Sequence, residues 1–215
     1  MSRPTILFDL DGTLIDSTNS ILNGFFAAFD TFKFKRPQTE EICALIGHPL
    51  DYMFAHLGVN DEAIWDFIAV YKETYKKTYL QDTKLLDFAK ESIELANEFA
   101  DLGVVTTKTS KYSVILLDHL GIGKYFKTII GKDDVINPKP HPEPILKALL
   151  NLDKTDKFAY MVGDTPMDAK AAKSANIISV GVTCGYCTEQ NLSKYCDHVA
   201  KNSLEAIKFI RSDTL

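Results

Sequence analysis

No stretch of this chain of 215 residues is apolar for long enough to cross a bilayer. The N-terminal Met1-Ser2-Arg3-Pro4 leads into only a short apolar run before Asp9, too short for the core of a signal peptide. A basic block is also missing. With 24 Lys and Arg against 29 Asp and Glu the net charge is −5, which counts against a nucleic-acid-binding surface. There is no internal repeat and no low-complexity tract. Cysteine is scarce, at 4 residues. Cys184, Cys187 and Cys196 with His198 have a spacing resembling that of a zinc site, but spacing alone is a weak warrant. The Cys184–Cys187 stretch looks like a turn and Cys196–Ala200 like a strand entry, nothing pins the two together, and Cys43 lies far away. All four are read as separate thiols in a reducing compartment, and the expected setting is soluble and cytoplasmic.

What is present is a chain that is 46% apolar, enough to bury a core as one large domain or two unequal ones. The strand-like Ile6-Leu7-Phe8 runs straight into Asp9-Leu10-Asp11-Gly12-Thr13-Leu14. Residues two apart on a strand point the same way, so Asp9 and Asp11 reach one side of the strand end. The period then changes. Ile21, Leu22, Phe25, Phe26, Phe29 and Phe32 predict an amphipathic helix over residues 17–32. Thr39, followed by Glu40 and Glu41, reads as the N-cap of a short helix to Leu45. A third helix covers Leu50 to His56 and stops at Gly58. Asn60 caps a fourth, with Ile64, Phe67, Ile68, Tyr71 and Tyr75 on one face. Beyond it come helix 86–100, strand 102–106, helix 110–120, strand 126–130, helix 142–150, strand 158–162, helix 166–174, strand 177–182, strand 198–200 and helix 204–210. Such alternation implies right-handed βαβ units. The expected fold class is α/β: a doubly wound, mostly parallel, Rossmann-like core from residues 1–15 and 84–215, with a helical-bundle cap domain inserted at 16–83.

Four strand ends then place polar residues on one rim, where open α/β sheets bind ligands. They are Asp9 and Asp11; Thr106, Thr107 and Lys108; Lys139 in Asn137-Pro138-Lys139-Pro140-His141-Pro142; and Asp164 and Asp168. Phosphoryl transfer asks for such an inventory, because a phosphate dianion repels a carboxylate nucleophile until the site neutralises charge. Mg²⁺, a hard cation, takes a small number of carboxylates plus substrate phosphate. Asp9 and Asp164 are the candidate direct ligands, Asp168 the holder of a metal-bound water, and Asp11 a ligand through its backbone carbonyl. Asp9 is also the candidate nucleophile, forming an aspartyl phosphate. Asp11 is the candidate acid/base, protonated on substrate binding or held above the ordinary aspartate pKa of about 3.9 by its surroundings. Thr106 and Lys139 are the phosphoryl-oxygen contacts. Thr107 and Lys108 are further substrate contacts. His48, between Gly47 and Pro49 in the insert, either touches the leaving group when the cap closes or is a loop histidine at a helix start.

The set Asp9-Leu10-Asp11-Gly12-Thr13-Leu14, Thr106, Lys139-Pro140-His141-Pro142 and Gly163-Asp164 with Asp168 resembles the four motifs of the haloacid dehalogenase-like hydrolases. Their order, with a helical insert after the first strand and Asp16-Ser17 following the first motif, is similar to that of the phosphoglycolate phosphatase branch. The resemblance implies a Mg²⁺-dependent phosphatase of a small phosphorylated metabolite, with 2-phosphoglycolate the first substrate to try. No nucleic-acid or membrane partner is expected, and the expected state is a monomer or weak homodimer. The dehalogenases of that family lack the second aspartate, so Asp11 points to phosphoester chemistry. A sugar phosphomutase or pyrophosphatase of the same branch would share the catalytic residues. A non-catalytic regulatory protein could keep the fold, but the intact acid and lysine set argues against it. The chain departs from the branch at Thr107, often Asn; at Asn137-Pro138, where a glycine is frequent; at Asp82-Thr83-Lys84, which lacks the usual Pro-Gly; and at Asn176, in place of a helix-ending glycine. Asn tolerates the left-handed backbone needed there.

Overall fold

The computed structural model describes residues 3–154 and 158–214. The chain forms two compact units, Met1–Asp16 with Leu85–Leu215, and Ser17–Lys84. Among the described residues no helix is long and apolar enough to cross a membrane.

In chain order the strands are β1 (Thr5–Phe8), β2 (Ile15–Asp16), β3 (Lys84–Leu85), β4 (Asp101–Val105), β5 (Phe126–Ile130), β6 (Ala159–Gly163), β7 (Ile178–Val182) and β8 (His198–Ala200). β2 and β3 form a separate two-stranded sheet. The other six make one sheet in the order β5-β4-β1-β6-β7-β8, and every pairing in it is parallel. Thr5 of β1 registers with Asp101 on one side and Ala159 on the other. The chain therefore winds outward from β1 through β4 to β5, then returns to β6 and runs outward the other way. That reversal puts the switch point beside β1, where doubly wound sheets leave a crevice at the carboxyl ends of their strands.

The helices are α1 (Thr18–Thr31), α2 (Thr39–Cys43), α3 (Leu50–His56), α4 (Ile64–Asp82), α5 (Ala89–Phe99), α6 (Ser110–His119), α7 (Glu143–Asn151), α8 (Pro166–Ser174), α9 (Glu189–Leu192) and α10 (Ser203–Asp213). One face of the sheet is closed by α7 and α8. Ile145, Ala148 and Leu149 of α7, spaced to share one helix face, join Ala171 and Ala172 of α8 over Leu7, Val105, Ile130 and Met161 of four adjacent strands. Each large apolar side chain buried in this way contributes about 1.5–3 kcal/mol.

The second unit has a core of rings. Phe25 lies 4.5 Å from Phe54 and 5.1 Å from Tyr71, centroid to centroid, and Phe29 lies 5.4 Å from Phe67. Tyr71, Tyr75 and Tyr79 stack in succession along α4. Helix α1 approaches this row through Gly24, where an added Cβ would stand 2.6 Å from the Tyr71 ring. Alanine is the better helix former by about 1 kcal/mol, but the clash decides the sign. Gly24→Ala is expected to destabilise the unit by about 1–3 kcal/mol, the range for overpacking, read as a lower urea midpoint; an unchanged or higher midpoint would show that the α1–α4 approach has room to spare.

Several boundaries differ from the sequence expectation, each for a local reason. Strand β4 ends at Val105, so Thr106 is the first residue beyond it, still tied to the sheet by its N–H to the Ile130 carbonyl at 2.9 Å. Helix α5 begins at Ala89, after Phe88 takes a left-handed φ of 66°. The N-cap of α2 is Gln38 in place of Thr39, and its N–H donates to Glu41 Oε2 at 2.7 Å. Asn60 accepts from the Ala63 N–H at 3.1 Å, capping a turn that precedes α4. Asn176 adopts the left-handed φ expected of it, 58°.

Candidate active site

The rim of the large sheet carries the polar residues. Asp9 follows β1 directly, and its N–H continues the ladder to the Val162 carbonyl of β6 at 2.8 Å. Asp164 follows β6, and Asp168 sits in the first turn of α8. Lys139 arrives from the loop after β5 with a cis bond to Pro140. All four residues are buried, none more than 3% exposed.

Lys139 organises the group. Its ammonium donates to Asp9 Oδ1 at 2.8 Å, to Asp168 Oδ1 at 2.5 Å and to the Val105 carbonyl at 3.0 Å. An ammonium has three protons, and all three are used. Burial works against its charge, but the Asp168 and Asp9 carboxylates overcome this and hold Lys139 firmly protonated. The other oxygen of Asp168 accepts from the Thr165 N–H at 3.1 Å and hydroxyl at 2.7 Å, which also caps α8. Asp168 is thus engaged at both oxygens. Asp164 Oδ1 accepts from the Thr13 hydroxyl at 3.1 Å and Oδ2 from the Tyr186 N–H at 2.9 Å. Asp164 has no cationic partner among the described residues.

Asp11 stands apart. Its carboxylate pairs with Lys108 Nζ at 3.2 Å, with both side chains about nine-tenths buried. Lys108 is aimed by a short turn in which its N–H donates to Thr106 Oγ1 at 3.2 Å. Thr107 lies half-buried in the same bend. His48 belongs to the helical unit, where its ring stacks on Tyr52 at 4.3 Å.

The acids are short of positive charge. Asp9, Asp164 and Asp168 offer carboxylate oxygens within 4.8 Å of one another, all buried, against Lys139, the one cation in contact with them among the described residues. Burial, opposed by Lys139 and reinforced by Asp168, pushes the Asp9 carboxyl up to about 7. Burial, then Asp9 and Asp168, push Asp164 well above the ordinary value. Three hard oxygen donors around an under-neutralised pocket fit a Mg²⁺-type cation. The linkage gives a prediction. Because both acids have raised pKa values in the fold, the folded protein binds more protons than the unfolded chain above about pH 4, for Asp9 up to about pH 7. Their contribution to stability is present at low pH and is lost as pH rises through that window. In EDTA, the Asp164→Asn protein is expected to lose less of its thermal midpoint between about pH 5 and pH 8 than the parent does; an identical slope would contradict the raised values.

A family model described as haloacid dehalogenase-like hydrolase matches residues 6–182, from β1 through β7. The chain belongs to the haloacid dehalogenase-like hydrolases. "Pyrophosphatase PpaX" of Bacillus velezensis is 36% identical to this hydrolase over 194 residues, covering 88% of each chain. "Probable phosphatase IndB" of Dickeya dadantii is 33% identical over 196 residues, covering 88% of this chain and 85% of the relative. Among solved structures, a haloacid dehalogenase-like family hydrolase of Streptococcus pneumoniae superposes with a TM-score of 0.88 at 27% identity, over 96% of this chain and 98% of the other.

The structure of the hydrolase brings Asp9, Lys139, Asp164 and Asp168 into one cluster, and Asp11, Thr106 and Lys108 into an adjoining one. Two parts of the cluster escaped the sequence reading. The Lys139–Asp168 pair joins residues far apart in the chain, with no spacing signal. The Thr13 and Tyr186 contacts to Asp164 come from loops after β1 and β7. The Cys184–Cys187 stretch reads in the sequence as a turn with zinc-like spacing, with no sign of a link to Asp164. In the structure Cys184 Sγ donates to the Gly12 carbonyl at 3.6 Å, and burial beside Asp164 pushes its thiol up to about 11. Cys187 accepts from the Asn191 amide at 3.0 Å.

Proposed function

We propose that the hydrolase cleaves a small phosphate ester or anhydride through an aspartyl phosphate on Asp9. The observation that carries this is the asymmetry of Asp9. Lys139 holds Oδ1, while Oδ2 has no donor among the described residues and is available to attack. In the first step Oδ2 forms a bond to phosphorus as the bond to the leaving oxygen breaks, and Asp11 gives that oxygen a proton. In the second, Asp11 takes a proton from water as the water oxygen attacks phosphorus, releasing phosphate and restoring Asp9. Lys108 orients Asp11 for both transfers. Thr106 contributes a hydroxyl to the phosphoryl oxygens, with Thr107 beside it.

Mg²⁺, held by Asp9 and Asp164 with support from Asp168 and the Asp11 carbonyl, would supply the charge that lets a dianion approach these acids. The helical unit Ser17–Lys84 is assigned the part of a lid, with His48 its candidate for sensing the leaving group. Two substrates lead the reading: 2-phosphoglycolate, from the motif resemblance, and inorganic pyrophosphate, from the pyrophosphatase relatives. Both give one phosphoryl group to Asp9 and differ only in what leaves. A panel of phosphomonoesters and pyrophosphate, assayed with Mg²⁺ and again with EDTA, tests the reading. Phosphate release from at least one compound, lost in EDTA, is expected; no release from any compound would overturn it. His48→Ala is expected to raise KM more than it lowers kcat, and unchanged kinetics would remove His48 from the substrate contacts.

A further inference from the structure

Asp164 is gripped from both sides by loops that the four motifs leave only partly explained. Its strand, β6, stands between β1 and β7. From the β1 side comes the Gly12-Thr13 turn, whose Thr13 hydroxyl reaches Oδ1. From the β7 side comes Cys184-Gly185-Tyr186, whose Tyr186 N–H reaches Oδ2. The two turns also lock onto each other. Cys184 Sγ donates to the Gly12 carbonyl, and the Tyr186 ring lies so close to Gly12 that an added Cβ there would stand 2.8 Å from it. Gly12 has a φ of +82°, which side chains rarely adopt. At Gly185 the approach is closer still: a Cβ would lie 2.2 Å from Asp164 Oδ2 and 2.4 Å from the Gly12 carbonyl oxygen.

We infer that the Cys184–Tyr186 turn is a positioning element for the metal ligand Asp164, and that Gly185 sets metal affinity by letting the turn close on that carboxylate. The inference rests on the proposed metal-dependent reading of this site. A buried carboxylate with a donor on each oxygen is fixed in orientation, and supporting partners of metal ligands commonly carry about 10–100-fold in affinity. A Cβ at Gly185 must displace either Asp164 or the Gly12 backbone, and Asp164 is the softer of the two.

The test is Mn²⁺ binding to the full chain, measured by calorimetry without substrate, for the parent and for Gly185→Ala, with the metal-free thermal midpoint of each. The expected result is Mn²⁺ affinity weakened about 10-fold or more in Gly185→Ala, with turnover recovered as metal concentration is raised. Equal affinity in a folded Gly185→Ala, or no saturable Mn²⁺ binding by the parent, would overturn the inference. If Gly185→Ala does not fold, Tyr186→Ala keeps the N–H that Asp164 accepts and removes the ring that packs beside Gly12. It is then expected to weaken Mn²⁺ binding, and parent-like affinity would overturn the inference. Metal binding is read without turnover, so a parent that binds Mn²⁺ but hydrolyses nothing would defeat the proposed reaction and leave this positioning role standing.

Discussion

Asp9→Asn protein is expected to fold, to keep its Lys139 contact and to turn over substrate at least about 10⁴-fold more slowly than the parent, the scale lost when a covalent nucleophile is removed. An amide oxygen can still accept from Lys139, so the cluster keeps its shape. It cannot form the acyl phosphate. The substitution also removes one of the buried negative charges, so the metal-free variant should be no less stable than the parent. This pairing of outcomes separates chemistry from architecture: activity collapses while the metal-free thermal midpoint holds or rises. Residual turnover within about 10² of the parent would move the nucleophile elsewhere, because general acid–base assistance alone accounts for losses of that size.

Lys139→Met is expected to have the largest effect on the fold. The ammonium is the only cation in contact with Asp9 and Asp168 among the described residues, and it also satisfies the Val105 carbonyl. Breaking a buried ion pair by removing one partner typically costs about 3–5 kcal/mol, since the remaining charge stays desolvated. Protonation of Asp9, whose carboxyl already sits near 7, offsets part of that at low pH. The loss should therefore be larger at about pH 8 than at about pH 5, by the same linkage. Adding Asp168→Asn should recover some stability, because the two changes share one interaction and are not additive. It should recover no activity, since the charge facing the phosphoryl group is still missing. A loss below about 1 kcal/mol in urea titrations would place Lys139 among surface-like pairs, contrary to its burial.

The parts of this molecule that periodicity controls were legible in the sequence. The run of Phe25, Phe29 and Phe32 fixed α1 within a residue or so, and the apolar stretches ending in Asp9 and Asp164 marked β1 and β6. The alternation of strands and helices after Leu85 implied the parallel sheet, because a helix between strands leaves few other ways to bury both. The acids were visible for a related reason: each stands where an apolar strand stops. What was not legible is long-range and polar. The ion pair of Lys139 with Asp168 depends on how far a loop after β5 reaches across β4 and β1. The sequence reads Asp168, one turn into a helix, as the holder of a metal-bound water, and gives no sign that the cap with Thr165 and the pair with Lys139 occupy both of its oxygens. Gly185 and Tyr186 carried no pattern at all beyond their neighbouring cysteines, since backbone N–H groups and missing Cβ atoms leave no signature in composition. The two-residue strands β2 and β3 are shorter than any period can reveal.

The claim that Asp9 carries the phosphoryl group is tested most directly in Asp11→Asn protein given an aryl phosphate whose leaving group needs no proton. Attack by Asp9 then proceeds, while the water step, which needs Asp11 as base, slows by about 10²–10⁴-fold. Acid-quenched samples, digested and weighed by mass spectrometry, are expected to show one phosphoryl group on the peptide containing Asp9, rising with time to near one per protein. Phosphate released at the parent's rate with no phosphorylated peptide, or a phosphoryl group found on any other residue, would contradict it.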